Sequence, residues 1–126
     1  MKKLVYSPQY RRKLSEIRKY LDLRFGIDIR KKVLRTITDR LHQLQEYEES
    51  GISMRELYGI NSDYYYIFVA HNYVFYRITA DSIRILNIYN EREDFMLDLF
   101  GVSSVDETAE AYWEEVERSN NTSDQE

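Results

Sequence analysis

Residues that could carry nucleophilic or metal chemistry are scarce in this chain. It has no cysteine and only two histidines, His42 and His71, far apart and without companion ligands at metal-binding spacing. Thiolate catalysis, a disulfide framework, a structural zinc site and any cofactor are therefore not expected. What remains is arginine and tyrosine. The triplet Tyr64-Tyr65-Tyr66 sits in a strand-like run. Alternation along a strand must send two of its rings to one face and one to the other. Packing accounts for at least one ring, and the rest suit stacking on RNA bases or anchoring a protein segment. Arg77 and Arg84 occupy two further strand-like runs and read first as solvent-facing positions. Arg55 reads as a partner for Glu56 or Glu46, Asn90 as a helix cap, and Arg92 as an exposed first-turn residue.

The elements that position these residues follow from periodicity. Lys3–Tyr6 is a short β-like run. Ser7-Pro8 then opens a helix, with Ser7 as cap and Pro8 at the first helical position. Tyr10, Leu14, Ile17 and Leu21 form its apolar stripe, Phe25 extends it, and Gly26 reads as a left-handed stop. Asp28 reads as the cap of a second helix, whose stripe is Ile29, Val33, Ile37, Leu41 and Leu44. So short a link makes the two helices antiparallel neighbours. After a polar loop and a brief run at Met54–Tyr58 come three strand-like runs, Tyr64–Ala70, Tyr73–Thr79 and Ile83–Tyr89. His71-Asn72 reads as the first hairpin turn, on Asn's tolerance of positive φ, and Ala80-Asp81-Ser82 as the second. A last helix is expected from Glu91 to about Phe100, capped by Asn90. The class is α+β: an N-terminal strand and an antiparallel helical hairpin packed on an antiparallel β-meander, with a short C-terminal helix.

At 126 residues, 43% hydrophobic and 32% charged, the chain supports one core. No apolar run is long enough to span a membrane, and a cytoplasmic protein is expected. The net charge of −4 hides an asymmetry: residues 1–101 carry 17 basic and 14 acidic residues, whereas residues 102–126 carry Arg118 against eight acids. The helical segment Gln9–Arg40 has eleven basic residues and four acidic ones. Residues 1–101 are thus read as a mildly basic domain and residues 102–126 as an acidic tail, partly helical and then disordered. The tail's charge, with Tyr112 and Trp113, also admits docking in cis on the basic body.

Several motifs appear in a distinctive order. They are Tyr6-Ser7-Pro8, Arg55-Glu56-Leu57-Tyr58-Gly59, Tyr76-Arg77-Ile78, Ile83-Arg84-Ile85-Leu86-Asn87-Ile88, and Asn90-Glu91-Arg92-Glu93-Asp94-Phe95-Met96. From about Lys3 to Gly101 the chain resembles the RelE/ParE superfamily of bacterial toxins, which includes plasmid stabilisation proteins. The resemblance implies a type II toxin–antitoxin module, in which an acidic segment of a cognate antitoxin neutralises the toxin in a hetero-oligomer. RelE-like members cleave mRNA on the ribosome; ParE-like members poison DNA gyrase without nuclease activity.

Cleavage by 2′-OH attack needs a base, an acid and cations for the phosphorane. The positions that resemble a nuclease set hold Tyr65, Tyr73 and Asn90, and Asn90 cannot move a proton. The catalytic candidates that remain are Arg55, Arg77, Arg84 and Tyr89: Arg77 and Arg84 to stabilise a phosphate, and Tyr89 or Tyr65 as a weak acid with an ordinary pKa near 10. Tyr65, Tyr73, Asn90 and Arg92 are the candidates for holding a target or an antitoxin. This depleted set favours ParE-like gyrase inhibition. The alternatives are a RelE-like endonuclease and a non-toxic binding module on the same fold.

Overall fold

The computed structural model describes residues 1–101. Residues 1–91 form one compact unit, and residues 92–101 belong to a second. The first unit contains β1 (Lys3–Tyr6), α1 (Pro8–Phe25), α2 (Ile27–Gln43), β2 (Ile52–Ser53), α3 (Met54–Tyr58), β3 (Tyr65–Val69), β4 (Asn72–Ile78) and β5 (Ser82–Asn90). The expected tail helix and the acidic tail lie outside the described residues.

The strands make one sheet in the order β1-β5-β4-β3-β2. β2 to β5 pair antiparallel, as the meander requires, and β1 joins β5 in parallel, from Lys3↔Ser82 to Tyr6↔Ile85. The fold is therefore α+β with a mixed sheet.

The helical hairpin forms as its sequence dictates. The Ser7 hydroxyl oxygen accepts the Tyr10 N–H at 2.9 Å, and Pro8 takes the first position of α1. The Ser7 hydroxyl also donates to the Leu86 carbonyl at 2.6 Å, tying the helix start to β5. Gly26 departs from the expected left-handed stop. It has φ 91° and ψ 172°, ends α1 and starts α2 by itself, so Asp28 is not the cap but a first-turn acid. Ile37 and Leu41 of α2, Leu44 at its C-cap and Tyr10 of α1 are buried against Ile67, Val74, Tyr76, Ile83, Ile85 and Ile88 of the sheet. Phe25 and Ile29 do not extend the buried stripes; both are exposed.

One further run gains an element and two readings are corrected. The run at Met54–Tyr58 is a helical turn, because the Ser53 hydroxyl caps Glu56 and Gly59 closes it in the left-handed region. In the β3–β4 hairpin the positive φ values belong to Ala70 and His71. Asn72 is in the strand, buried, and its side-chain amide donates to the Ala70 carbonyl at 2.7 Å. Asn90 is not a helix cap: it pairs with Asn72 as the last residue of β5. In the second unit α4 spans Phe95–Phe100, and its N-cap is Asp94, whose carboxylate accepts the Leu97 N–H at 3.2 Å.

Candidate functional site

Strand alternation distributes the candidate residues over two sheet faces. Tyr65, Ile67 and Val69 of β3 and Val74, Tyr76 and Ile78 of β4 point toward the helices. Tyr66 and Phe68 of β3, with Tyr73, Phe75 and Arg77 of β4, share the opposite face. On β5 the pattern is interrupted. Tyr76 pairs with Ile85 but Phe75 pairs with Asn87, so Leu86 is an extra residue, a β-bulge. Before it, Ile83 and Ile85 face the helices and Arg84 faces away. After it, Ile88 returns to the core while Asn87 and Tyr89 join the opposite face. The bulge carbonyl is the one that Ser7 binds.

The opposite face thus assembles Tyr66, Tyr73, Phe75, Asn87 and Tyr89 beside Arg77 and Arg84. Its rings contact one another: Tyr66–Tyr73 at 5.3 Å, Tyr66–Phe75 at 5.5 Å, Phe68–Tyr73 at 4.9 Å and Phe75–Tyr89 at 5.9 Å between centroids. Burial, with Tyr58 and Tyr73 nearby, pushes the Tyr66 hydroxyl pKa up. Burial does the same to Tyr58, again beside Tyr73.

Each candidate can now be placed. Arg77 and Arg84 are cross-strand partners. Like charges so placed repel, and the Asp63 carboxylate offsets the pair by binding Arg77 at 2.9 Å. Tyr89 is buried, its hydroxyl accepts from the Asn87 amide at 2.8 Å, and the Lys13 ammonium lies 3.8 Å from its ring centroid. Tyr73 lies on this same face. Tyr65 does not: it stacks on Tyr76 at 5.5 Å on the helix side. Burial, then Glu49, Glu56 and Glu48, raise the Tyr65 pKa, which makes it a poorer proton donor. Arg55 is on α3 and donates to the Asn61 side-chain oxygen at 3.1 Å, not to Glu56 or Glu46. Asn90 is exposed at the end of β5. Arg92 is exposed in the second unit.

Sequence reasoning missed Asn87, Lys13 and Asp63. Period-two alternation from Tyr73 finds Phe75 and Arg77, but the inserted Leu86 hides that Asn87 and Tyr89 share their face. No group of three or more histidine, aspartate or glutamate side chains is placed to hold a metal among the described residues.

The geometry belongs to a known class. Residues 4–95 match the family model described as the ParE toxin of the type II toxin–antitoxin system parDE. The chain belongs to the ParE toxin family. The RelE/ParE-like fold is shared with a solved structure, the chromosomal ParDE toxin–antitoxin system from P. aeruginosa. That match has a TM-score of 0.60 and 16% sequence identity, and covers 71% of this chain and 96% of the other. No curated protein matches the chain by sequence. Among the described residues of this ParE-family toxin, no helix is long and apolar enough to cross a membrane.

Proposed function

We propose that this ParE-family chain is the growth-inhibiting component of a toxin–antitoxin module. It acts by binding DNA gyrase, and the acidic segment of a cognate antitoxin neutralises it. The observation that carries the choice of binding over cleavage is the state of the candidate acid–base groups. The Tyr89 hydroxyl is buried and engaged by Asn87, and Tyr65 is on the other sheet face with its pKa raised. An arginine pair remains, but of the two tyrosines considered as the acid, Tyr65 is turned away from it and the Tyr89 hydroxyl is already hydrogen-bonded. A face of packed rings flanked by cations suits a protein partner, since interfaces favour tyrosine and arginine.

A second reading rests on one observation: Arg77 and Arg84 oppose each other on a single face, a cation pair that would hold a phosphate in an mRNA cleavage site. Controlled induction of the chain in a bacterial host separates the two. Gyrase binding gives growth arrest with filamentation and a DNA-damage response, and purified chain inhibits supercoiling. Rapid loss of translation with ribosome-dependent mRNA cleavage would replace this reading with the second. Undisturbed growth with abundant folded protein would leave a non-toxic binding module.

A further inference from the structure

The tip of the helical hairpin carries an apolar surface that the fold does not use. Residues 22–29, the end of α1 and the start of α2, are exposed without exception. Beside or within them lie large apolar side chains in solvent: Leu23 at 87% exposure, Phe25 at 55%, Tyr20 at 53% and Ile27 at 53%. Tyr20 and Phe25 meet edge to face at 6.4 Å, and the Arg24 guanidinium lies 5.7 Å from the Tyr20 ring centroid. Other exposed apolar residues among those described are more scattered along the chain, whereas these adjoin across Gly26. Concentration of this kind marks an interaction surface.

The charge around the tip narrows the partner. Residues 18–32 hold six basic side chains and two acidic ones, and one of the acids, Asp22, is bound by Arg30 at 2.9 Å. A second copy of the chain would bring the same positive rim against itself. A nucleic acid would satisfy the cations but leave Leu23 and Ile27 with nothing to bury against, because phosphate contacts are polar. An acidic protein surface with an apolar recess satisfies both. The shape narrows it further: a convex tip exposed along eight residues fits a concavity in a large folded partner. A short acidic segment of the kind assigned to the antitoxin offers no such concavity.

We infer that the α1–α2 tip, with Leu23 and Ile27 as apolar anchors and Arg24 and Lys31 as the cationic rim, inserts into an acidic, apolar recess of the toxin's target. Naming gyrase as that target rests on the proposed function; the tip as the target-binding surface does not. Two double variants test it: Leu23→Glu with Ile27→Glu, and Arg24→Glu with Lys31→Glu. All four side chains are exposed, so the fold should tolerate both variants, which circular dichroism melting verifies. Three readouts are taken with the full chain: growth arrest on induction, affinity for purified gyrase, and affinity for the purified cognate antitoxin.

Both variants should lose growth arrest and bind gyrase about tenfold or more weakly, as hot-spot anchors do, while antitoxin affinity stays within about twofold. Full growth arrest in the apolar variant overturns the inference. Loss of antitoxin affinity with arrest retained assigns the tip to the antitoxin and also overturns it. Dimerisation of the wild type, abolished in the apolar variant with arrest intact, would assign the tip to a second copy. Binding to a short DNA duplex that only the charge variant loses, with arrest intact in the apolar variant, would assign it to nucleic acid. If the wild type arrests growth without binding gyrase and the variants do not arrest, the gyrase reading fails and the tip stands. A wild type that neither arrests growth nor binds gyrase overturns both.

Discussion

The two faces of the sheet use the same strands for opposite purposes. Toward the helices, Ile67, Val74, Ile83, Ile85 and Ile88 interlock with Ile37, Leu41 and Leu44. The Tyr76 hydroxyl buried among them has fixed partners: it donates to the Glu48 carbonyl at 2.8 Å and accepts the Gly51 N–H at 3.1 Å. Away from the helices, rings, an amide and two arginines replace the aliphatic side chains. One face holds the fold; the other carries groups suited to recognition. The separation depends on a single inserted residue. Were Leu86 a regular ladder residue rather than a bulge, strict alternation from Ile85 would turn Ile88 out of the core and Asn87 and Tyr89 into it, since a one-residue slip exchanges faces.

The largest effect is expected from inserting an alanine between Asn87 and Ile88. The insertion should abolish cooperative unfolding, because it turns Ile88 out of the aliphatic layer and Tyr89 into it. An insertion variant with an unchanged thermal melt would show that this register does not set the faces. Next comes Gly51→Ala. An added Cβ would lie 2.6 Å from the Tyr76 hydroxyl and 2.7 Å from the Tyr66 carbonyl, so a cost of about 1–3 kcal/mol in urea unfolding is expected. Adding Tyr76→Phe removes one of the two clashing atoms, and the double variant should cost less than the two single changes together.

Tyr76→Phe alone should cost about 1–3 kcal/mol, because the Gly51 N–H and Glu48 carbonyl lose their partner. It also has a pH signature. Burial pushes the Tyr76 hydroxyl from its ordinary 10.0 up to about 12. Between those values the unfolded chain gives up this proton and the folded chain keeps it. Stability therefore falls as pH rises from about 10 toward 12. The phenylalanine variant should lose that part of the fall; an identical alkaline profile would remove Tyr76 as its source. The smallest effect is expected on the other face. Arg77→Ala with Arg84→Ala removes a repelling pair and one exposed ion pair, so stability should change by less than about 0.5 kcal/mol. Growth arrest should persist in this double variant, and its abolition would favour cleavage over binding.

Much of the fold was legible because its signals are local. Ser7-Pro8 opens α1, the spacing of Ile37, Leu41 and Leu44 marks the core side of α2, and three β-rich runs lie close to their observed strands. The losses have physical reasons. Asn90 and Asp94 are both good caps, and ladder pairing with Asn72 decided between them. Phe25 and Ile29 obey the helical period but lie at the hairpin tip, where periodicity gives no information about whether a partner layer is present. Of the candidate site, Arg77, Arg84, Tyr73 and Tyr89 share one face, while Tyr65 does not. The bulge that gathers Arg84 and Tyr89 leaves no mark in composition or local propensity.

The parallel pairing of β1 with β5 has a consequence for the newborn chain. Lys3 finds its partner in Ser82, and Ser7 finds its own in Leu86, 79 residues further along. At ribosomal speeds of about 5–20 residues per second, the first strand waits roughly 4–16 s for the last one to be made. Until then neither the five-stranded sheet nor the face that carries Arg84 and Tyr89 exists. A translating ribosome therefore carries a chain whose sheet is still incomplete. The complete fold becomes available only once β5 is made, which leaves an interval in which an antitoxin already present can meet the toxin as it folds.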